Sequence, residues 1–120
     1  MVAELLIGIV ADPAHGLVLT IGAGGVLTEI LQDTQSLILP VGEADIRTAL
    51  SQLRLAPLLN GYRGKPAADI DQLTTDILRL ATFAHTQAGH LAELEINPYL
   101  AREKGGSVVD CLMITHQMET

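Results

Sequence analysis

Oxygen-bearing side chains alternate with apolar ones near position 95. Glu93, Glu95 and Asn97 stand at every second position, so a β-strand would place all three on one face. A Gly-Gly pair at 105–106 predicts a turn, and Asp110 on the returning strand can join them. Oxygen ligands without Cys or His suit Mg²⁺ or Mn²⁺ rather than zinc. The same spacing also fits a solvent-exposed strand face, so both interpretations stay open at this point.

The register of this hairpin decides how close the candidate ligands come. If Arg102 pairs with Ser107, Asn97 and Asp110 become diagonal neighbours on one face, about 7–8 Å apart at Cα. An ion with oxygen ligands at about 2.1 Å fits between two such side chains. Pro98 cannot donate a ladder hydrogen bond, which predicts an edge or bulged position beside Asn97.

Composition indicates one domain with an aliphatic core. The chain has 120 residues, of which 48% are hydrophobic, 2% aromatic and 18% charged, which is enough for a single core. A net charge of −7 without a basic cluster argues against nucleic-acid binding. The high apolar content also predicts a surface for a partner or a second copy.

Cysteine usage and hydropathy exclude several classes. Cys111 is the single cysteine, which excludes an internal disulfide framework and a thiolate zinc site. Its apolar strand context predicts a buried side chain. No unbroken apolar run reaches the length of about 18 residues typical of a membrane helix. The start of the chain lacks a signal-peptide pattern, so we expect a cytoplasmic protein without membrane contact.

Periodicity predicts strands first and helices later. Apolar runs with β-branched residues indicate strands, and recurrence every three to four residues with capping signals indicates helices. Asp69 with Gln72 resembles a capping box. The predicted strands span 3–11, 16–21, 26–31, 36–40 and the two arms of the hairpin; the predicted helices begin at Gly42 and at Ile70, the latter running to about Ala88, with a short turn at 56–61.

A glycine-rich segment at 22–25 follows a predicted strand. Backbone N–H groups in such a loop can approach an anion, so a phosphate cradle is one interpretation. The Walker and dinucleotide patterns both fail, because Val26 and Leu27 stand where they need other residues. A bend or bulge between strands is the other interpretation. Glu29, in the following strand, is either an edge charge or a site residue.

Several motifs in the same order resemble one family. The segment Glu93–Pro98 followed by Val109-Asp110 resembles the metal-binding hairpin of the ATP-grasp fold. More narrowly, it is similar to ADP-forming acyl-CoA synthetases, the acetate–CoA ligases related to the succinyl-CoA synthetase β subunit. Further similar stretches in order are Glu4–Ile9, Asp12-Pro13 with Gly16, Gly22–Gly25 with Glu29, Gly61–Gly64 and Ala67–Asp69.

The resemblance implies a fold and a set of roles. The fold would be α+β, the C-terminal subdomain of an ATP-grasp domain, with a largely antiparallel sheet and two main helices. Residues 1–114 would form it and 115–120 a flexible tail. Glu95, Asn97 and Asp110 would bind the Mg²⁺ (or Mn²⁺) of Mg-ATP. Glu4 matches an acidic position near the nucleotide, while Arg63 is a candidate phosphate contact because of its charge and Gly-flanked loop.

The resemblance also implies missing parts. Nothing in the sequence corresponds to the first half of an ATP-grasp domain, to a CoA-binding domain or to the phosphorylated histidine of the complete enzymes. We therefore expect the nucleotide-binding portion of an acid–CoA ligase, inactive alone, whose complete form uses ATP and CoA. The other parts would belong to a longer chain or a separate subunit. The alternative is a non-catalytic fragment that binds a partner or itself.

Overall fold

A computed structural model describes residues 1–25 and 32–116. The elements, in chain order, are β1 (Ala3–Asp12), β2 (Gly16–Ala23), β3 (Thr34–Ile38), α1 (Glu43–Gln52), α2 (Ala56–Leu59), α3 (Ile70–Thr86), β4 (Leu91–Ala101), β5 (Gly106–Val108) and β6 (Cys111–Thr115). The predicted strand at 26–31, with Glu29, lies outside the described residues. The other predicted elements are present, with ends shifted by a few residues.

The sheet is antiparallel throughout the described pairings. Its strands follow the order β3-β2-β1-β4, and β5 and β6 both pair with the long strand β4 on the same edge. Sequential strands joined by short turns can pair directly, as β1 and β2 do around the turn Asp12–Gly16. This mixed architecture confirms the α+β fold expected from the sequence.

The two faces of the sheet differ in what covers them. Leu5, Ile7 and Ile9 of β1 are buried and share one core with side chains of α1 and α3, such as Ile46 and Ile77. We call this side the helix face. The alternate residues of β1 and their cross-strand neighbours form the other side, which we call the open face because no described helix packs on it.

The long helix α3 begins at Ile70 as predicted, but only one of the two hydrogen bonds of the predicted capping box is present. The Asp69 carboxylate accepts a hydrogen bond from the Gln72 N–H at 3.0 Å, as an N-cap should. The Gln72 side chain does not complete a capping box, because the Asp69 N–H donates elsewhere, and the Gln72 amide donates to Asp76. The Asp69 N–H donates to the carbonyl of Arg102, so the helix start is tied to the end of β4.

Asp33 ties the sheet to the helical layer. It is 5% exposed, and its two carboxylate oxygens accept hydrogen bonds from the N–H groups of Arg54 at 2.7 Å and Leu55 at 2.9 Å. These donors precede α2, so one buried carboxylate fixes the segment between α1 and α2 against the start of β3. A buried carboxylate persists only when it is satisfied in this way.

Two sequence-based predictions at the C-terminal edge are corrected. Cys111 is exposed rather than buried, because β6 lies at the sheet edge, where all five of its residues are exposed. Thr115, predicted to belong to the tail, is the last residue of β6, and the His116 N–H donates to the His90 carbonyl at 2.7 Å; residues 117–120 lie outside the described part of the chain. No helix among the described residues is long and apolar enough to cross a membrane.

Candidate nucleotide and metal site

The three predicted metal ligands line one hollow on the sheet. Glu95, Asn97 and Asp110, with Cys111 and Leu112, surround a cavity of about 320 Å³. Glu95 pairs with Gly8 of β1, a position on the open face, so the hollow opens away from the helices. Glu95 is partly buried, whereas Asn97 and Asp110 are exposed. The structure thus brings together side chains that are 15 positions apart in sequence.

The register of the hairpin differs from the prediction. Ser107 pairs with Leu100 rather than Arg102, which shifts the returning strand by two residues. The Asn97 N–H donates to the Asp110 carbonyl at 3.2 Å, so these residues stand directly opposite rather than diagonally. Directly opposed residues have Cβ atoms about 4.5–5.5 Å apart. The correction brings the two candidate ligands closer together.

The difference arises at the turn, which occupies residues 102–105 because Ala101 pairs with Gly106; β4 also carries a bulge at Asn97-Pro98 on the side that pairs with β1. Along β1 the pairing passes from Leu5 with Tyr99 to Ile7 with Ile96, so β4 carries one extra residue opposite β1. The Val109 N–H donates to the Pro98 carbonyl at 3.1 Å, and residues 109–110 separate β5 from β6. Bulges redirect side chains at functional edges, and here the irregular pairs include both Asn97 and Asp110.

The donor set fits a hard divalent cation whose coordination shell is completed by phosphate oxygens and water. The hollow offers the carboxylates of Glu95 and Asp110 and the amide oxygen of Asn97. Within residues 1–25 and 32–116, no three His, Cys, Asp or Glu side chains form a metal cluster, so the amide is needed as a third ligand. Mg²⁺ commonly takes one or two carboxylates and completes its shell with water and substrate phosphates. One Asp110 oxygen already accepts the Cys111 N–H at 2.9 Å, which fixes the carboxylate.

Glu4 lies on the same face, beyond the hollow. Glu4 pairs with Leu100. Leu6, two residues further along β1, lies opposite the bulge. Glu4 is therefore displaced from Asn97 by about 7 Å along the strand direction. The Gly24 N–H donates to the Glu4 carbonyl at 2.9 Å. A side chain at Gly25 would meet the Glu4 carboxylate. Glu4 and the end of the glycine-rich segment are therefore neighbours.

Close backbone packing explains part of the glycine-rich segment. A Cβ atom at Gly24 would lie 2.9 Å from the Leu5 carbonyl carbon, and Gly25 has a positive φ of 69°. Gly22 and Ala23 belong to β2 itself. These contacts give the glycines a structural reason, while the phosphate cradle stays a prediction.

Arg63 is not among the residues that line the hollow. It has a positive φ of 51° in the loop before α3, and its guanidinium lies 5.3 Å from the centre of the Tyr62 ring, within range of a cation–π contact. Both side chains are exposed. Its role in phosphate binding stays a prediction.

A polar network on the helix face supports the site strand from behind. Tyr99, two residues after Asn97, is 1% exposed, and its hydroxyl donates to Asp76 of α3 at 2.6 Å. Burial, and then this hydrogen bond to a carboxylate, raise the pKa of Tyr99 well above 10.0. A Cβ atom at Gly106 would collide with the Tyr99 hydroxyl. Sequence reasoning did not identify this network, because its partners are 23 residues apart.

The fold and the donor set together define a class of protein. Residues 1–115 match the family model described as an ATP-grasp domain, and the chain belongs to that family. Several similar relatives carry a narrower description, that of ADP-forming acetate–CoA ligases. The beta subunit of ADP-forming acetate–CoA ligase II from Pyrococcus furiosus is 33% identical over 107 residues, which is 88% of this chain and 45% of that protein.

Two further relatives agree with this assignment. A trans-feruloyl-CoA synthase from an unknown prokaryotic organism is 33% identical over 121 residues, covering 98% of this chain and 17% of that protein. The acetyl-coenzyme A synthetase 1 of Candidatus Korarchaeum cryptofilum, solved with coenzyme A and Mg-AMPPCP, superposes with a TM-score of 0.89 at 31% identity. That match covers 95% of this chain and 53% of the other. The chain thus spans about half or less of the length of these relatives.

Proposed function

We propose that this chain provides the metal- and nucleotide-binding wall of an ADP-forming acid–CoA ligase. The complete enzyme would convert ATP, an acid and CoA into acyl-CoA, ADP and phosphate. The observation that carries the proposal is the convergence of Glu95, Asn97 and Asp110 in one hollow of the open face. The Mg-AMPPCP and coenzyme A in the Korarchaeum structure support the choice of ligands.

In this proposal each site residue has a defined task. Glu95, Asn97 and Asp110 hold Mg²⁺, or Mn²⁺ in its place, and the ion neutralises charge on the transferring phosphate. Glu4 lies near enough on the same face to orient the nucleotide. Arg63, in the loop before α3, contributes a phosphate contact. The other half of the ATP-grasp domain and a CoA-binding domain belong to a longer chain or to another subunit.

Paramagnetic NMR tests the metal site even when binding is weak. Substoichiometric Mn²⁺ should broaden the amide signals of Asn97, Asp110 and Leu112 before those of other residues. We expect Glu95→Gln and Asp110→Asn each to weaken this effect by about tenfold or more, because each removes an anionic ligand. Excess Mg²⁺ should reverse the broadening.

Glu93→Gln is the matched control for these variants. Glu93 lies on the same strand and pairs with exposed Val10 on the same face, yet it does not line the hollow. Its substitution changes the net charge equally and should alter Mn²⁺ broadening less than twofold. Equal weakening by all three variants would mean that Mn²⁺ responds only to the overall acidity of the chain, and the metal site would be refuted.

A second candidate function is a non-catalytic module that associates with another copy. The observation that favours it is the exposed apolar edge of the sheet, where Leu112, Met113 and Ile114 are 50%, 52% and 44% exposed. Such patches usually mark contact surfaces. Sedimentation equilibrium of the purified chain tests this candidate, and a monomer at millimolar concentration would contradict it.

A further inference from the structure

Strand β6 presents an apolar and uncharged edge. Its five residues, Cys111–Thr115, are all exposed, and none of them is charged, in a chain whose net charge is −7. No proline or lysine interrupts it, although natural edge strands are commonly protected by such residues. Its described pairing is with β4 alone. Among residues 1–25 and 32–116, no strand pairs with its other long side, so that side can accept another strand.

The hydrogen bonds of β6 show which backbone groups face outward. The Asp110 carbonyl accepts a hydrogen bond from the Asn97 N–H, and the His116 N–H donates to the His90 carbonyl. The backbone N–H and C=O groups of the even-numbered residues therefore point toward β4. Backbone groups alternate between the two sides of an antiparallel strand. The N–H and C=O groups of Met113 and of the other odd-numbered residues therefore point away from β4. The Cys111 N–H is already engaged by the Asp110 side chain at 2.9 Å.

These outward groups are complementary to themselves. When two β6 strands run antiparallel about Met113, each Met113 can exchange hydrogen bonds with its counterpart. The Thr115 N–H can likewise donate to the Cys111 carbonyl of the other copy. This gives four main-chain hydrogen bonds without disturbing the contact between Asp110 and Cys111. A contact in which each copy offers the same strand is closed by two-fold symmetry and cannot continue into a fibre.

The charges at the two ends of β6 permit this pairing and favour this register. Two copies with a net charge of −7 repel each other wherever acidic side chains meet, and like charges directly opposite destabilise a strand pair. β6 is flanked by Asp110 at one end and His116 at the other. Antiparallel pairing about Met113 places Asp110 opposite His116 of the second copy. An imidazole N–H can donate to a carboxylate in either protonation state.

We propose that two copies of this chain pair through β6, antiparallel and in register about Met113, to join their sheets into one. Leu112 then faces Ile114 of the second copy on the open face. This inference rests on the second candidate function, self-association. It specifies which strand makes the contact and which residues meet.

A charge-insertion pair tests the surface. Met113→Lys places two ammonium groups opposite each other on the two-fold axis, so we expect the dimer dissociation constant to rise at least tenfold in sedimentation equilibrium. Val10→Lys introduces the same charge at an exposed position of β1 (49% exposed) that β4 and β2 flank. This control should leave the dissociation constant within about twofold. Circular dichroism melting verifies that both variants fold.

Cysteine cross-linking tests the register. On a Cys111→Ser background, Met113→Cys should form a homodimer with a short bifunctional thiol reagent. Leu112→Cys and Ile114→Cys should cross-link efficiently only when the two variants are mixed, because each faces the other residue in the second copy. Efficient cross-linking of Leu112→Cys with itself would place the axis at residue 112 and overturn the register.

The outcomes separate this inference from the candidate on which it rests. A wild-type chain that is monomeric at millimolar concentration refutes self-association and the β6 contact together. A dimer that Met113→Lys and Val10→Lys weaken equally, or not at all, leaves self-association intact and overturns the β6 contact alone. A dimer that responds only to Met113→Lys and gives the mixed cross-link supports both.

Discussion

The Tyr99 hydroxyl is the most constrained polar group near the site strand. It is buried, donates to Asp76, and occupies the space that a side chain at Gly106 would need. Asp76 also accepts from the Gln72 amide at 2.8 Å. One hydroxyl thus connects α3 with the hairpin that carries Asn97 and Asp110, so its loss should weaken the fold more than its size suggests.

Tyr99→Phe should lower the free energy of unfolding by about 1–2 kcal/mol near neutral pH, because Asp76 loses a buried donor. The pKa of Tyr99 is raised in the folded state above its ordinary 10.0, so the unfolded state loses the proton first as pH rises. Wild-type stability should therefore fall above about pH 10, and the gap to the variant should narrow there. Urea unfolding from pH 7 to 11 measures both effects.

Tyr62→Phe serves as the comparison for that series. The Tyr62 side chain is 47% exposed, and surface changes of this kind usually stay within about 0.5 kcal/mol. If both variants lost the same stability, or if the gap between wild type and Tyr99→Phe stayed constant above pH 10, the Tyr99–Asp76 bond would not have the assigned effect.

Residues with a local pattern could be predicted from the sequence, and residues with distant partners could not. Glu95, Asn97 and Asp110 were identifiable because alternation and one turn place them on a common face. Asp33 and Asp76 look like ordinary surface acids in the sequence. The donors Arg54 and Leu55 of Asp33, and Tyr99 of Asp76, lie 21 to 23 residues away, and no periodicity encodes such contacts.

At the scale of elements, Asp33 joins the sheet layer to the helical layer. Asp33→Ala should lower the free energy of unfolding by about 2–4 kcal/mol, because two buried N–H groups lose a charged acceptor. Asp33→Asn retains one acceptor oxygen and should cost less. Urea unfolding followed by far-UV circular dichroism measures the loss.

Asp71→Ala is the control for this prediction. The Asp71 side chain is 87% exposed and bonds only to Arg47 among the contacts described for it, and exposed pairs of this kind contribute little. Its removal should change the free energy of unfolding by less than about 1 kcal/mol. A comparable loss for both substitutions would show that burial does not set the contribution of Asp33.

The elements themselves were largely predictable, but their pairing was not. Capping at Asp69 and the apolar stripe of α3 predicted that helix, and apolar runs predicted β1 and β2. The hairpin register was wrong by two residues because the turn occupies residues 102–105, one position earlier than predicted, and turn residues alone do not fix which pair closes the loop. The exposure of Cys111 was missed for a related reason, since a strand's composition does not reveal that it lies at an edge.

At the scale of the whole molecule, the chain corresponds to only part of the length of its relatives. It spans 45% of the Pyrococcus beta subunit and 53% of the matched Korarchaeum chain. Its candidate ligands line a hollow on the face that no described helix covers. A phosphoryl-transfer site stabilises its transition state through charged groups fixed around the nucleotide. One open face of a sheet supplies only some of these groups.

The isolated chain should accordingly bind Mg-ATP with a dissociation constant of about 1 mM or weaker, which corresponds to about −4 kcal/mol. The 107-residue segment of the Pyrococcus beta subunit that matches this chain is the natural comparison. Cut from that subunit, it should bind equally weakly, whereas the intact subunit should bind at least tenfold more tightly. NMR titration measures the weak binding of the isolated segments, and isothermal titration calorimetry measures the tighter binding of the intact subunit. Micromolar affinity of this chain alone would mean that one wall is sufficient, and the incomplete-site proposal would then be wrong.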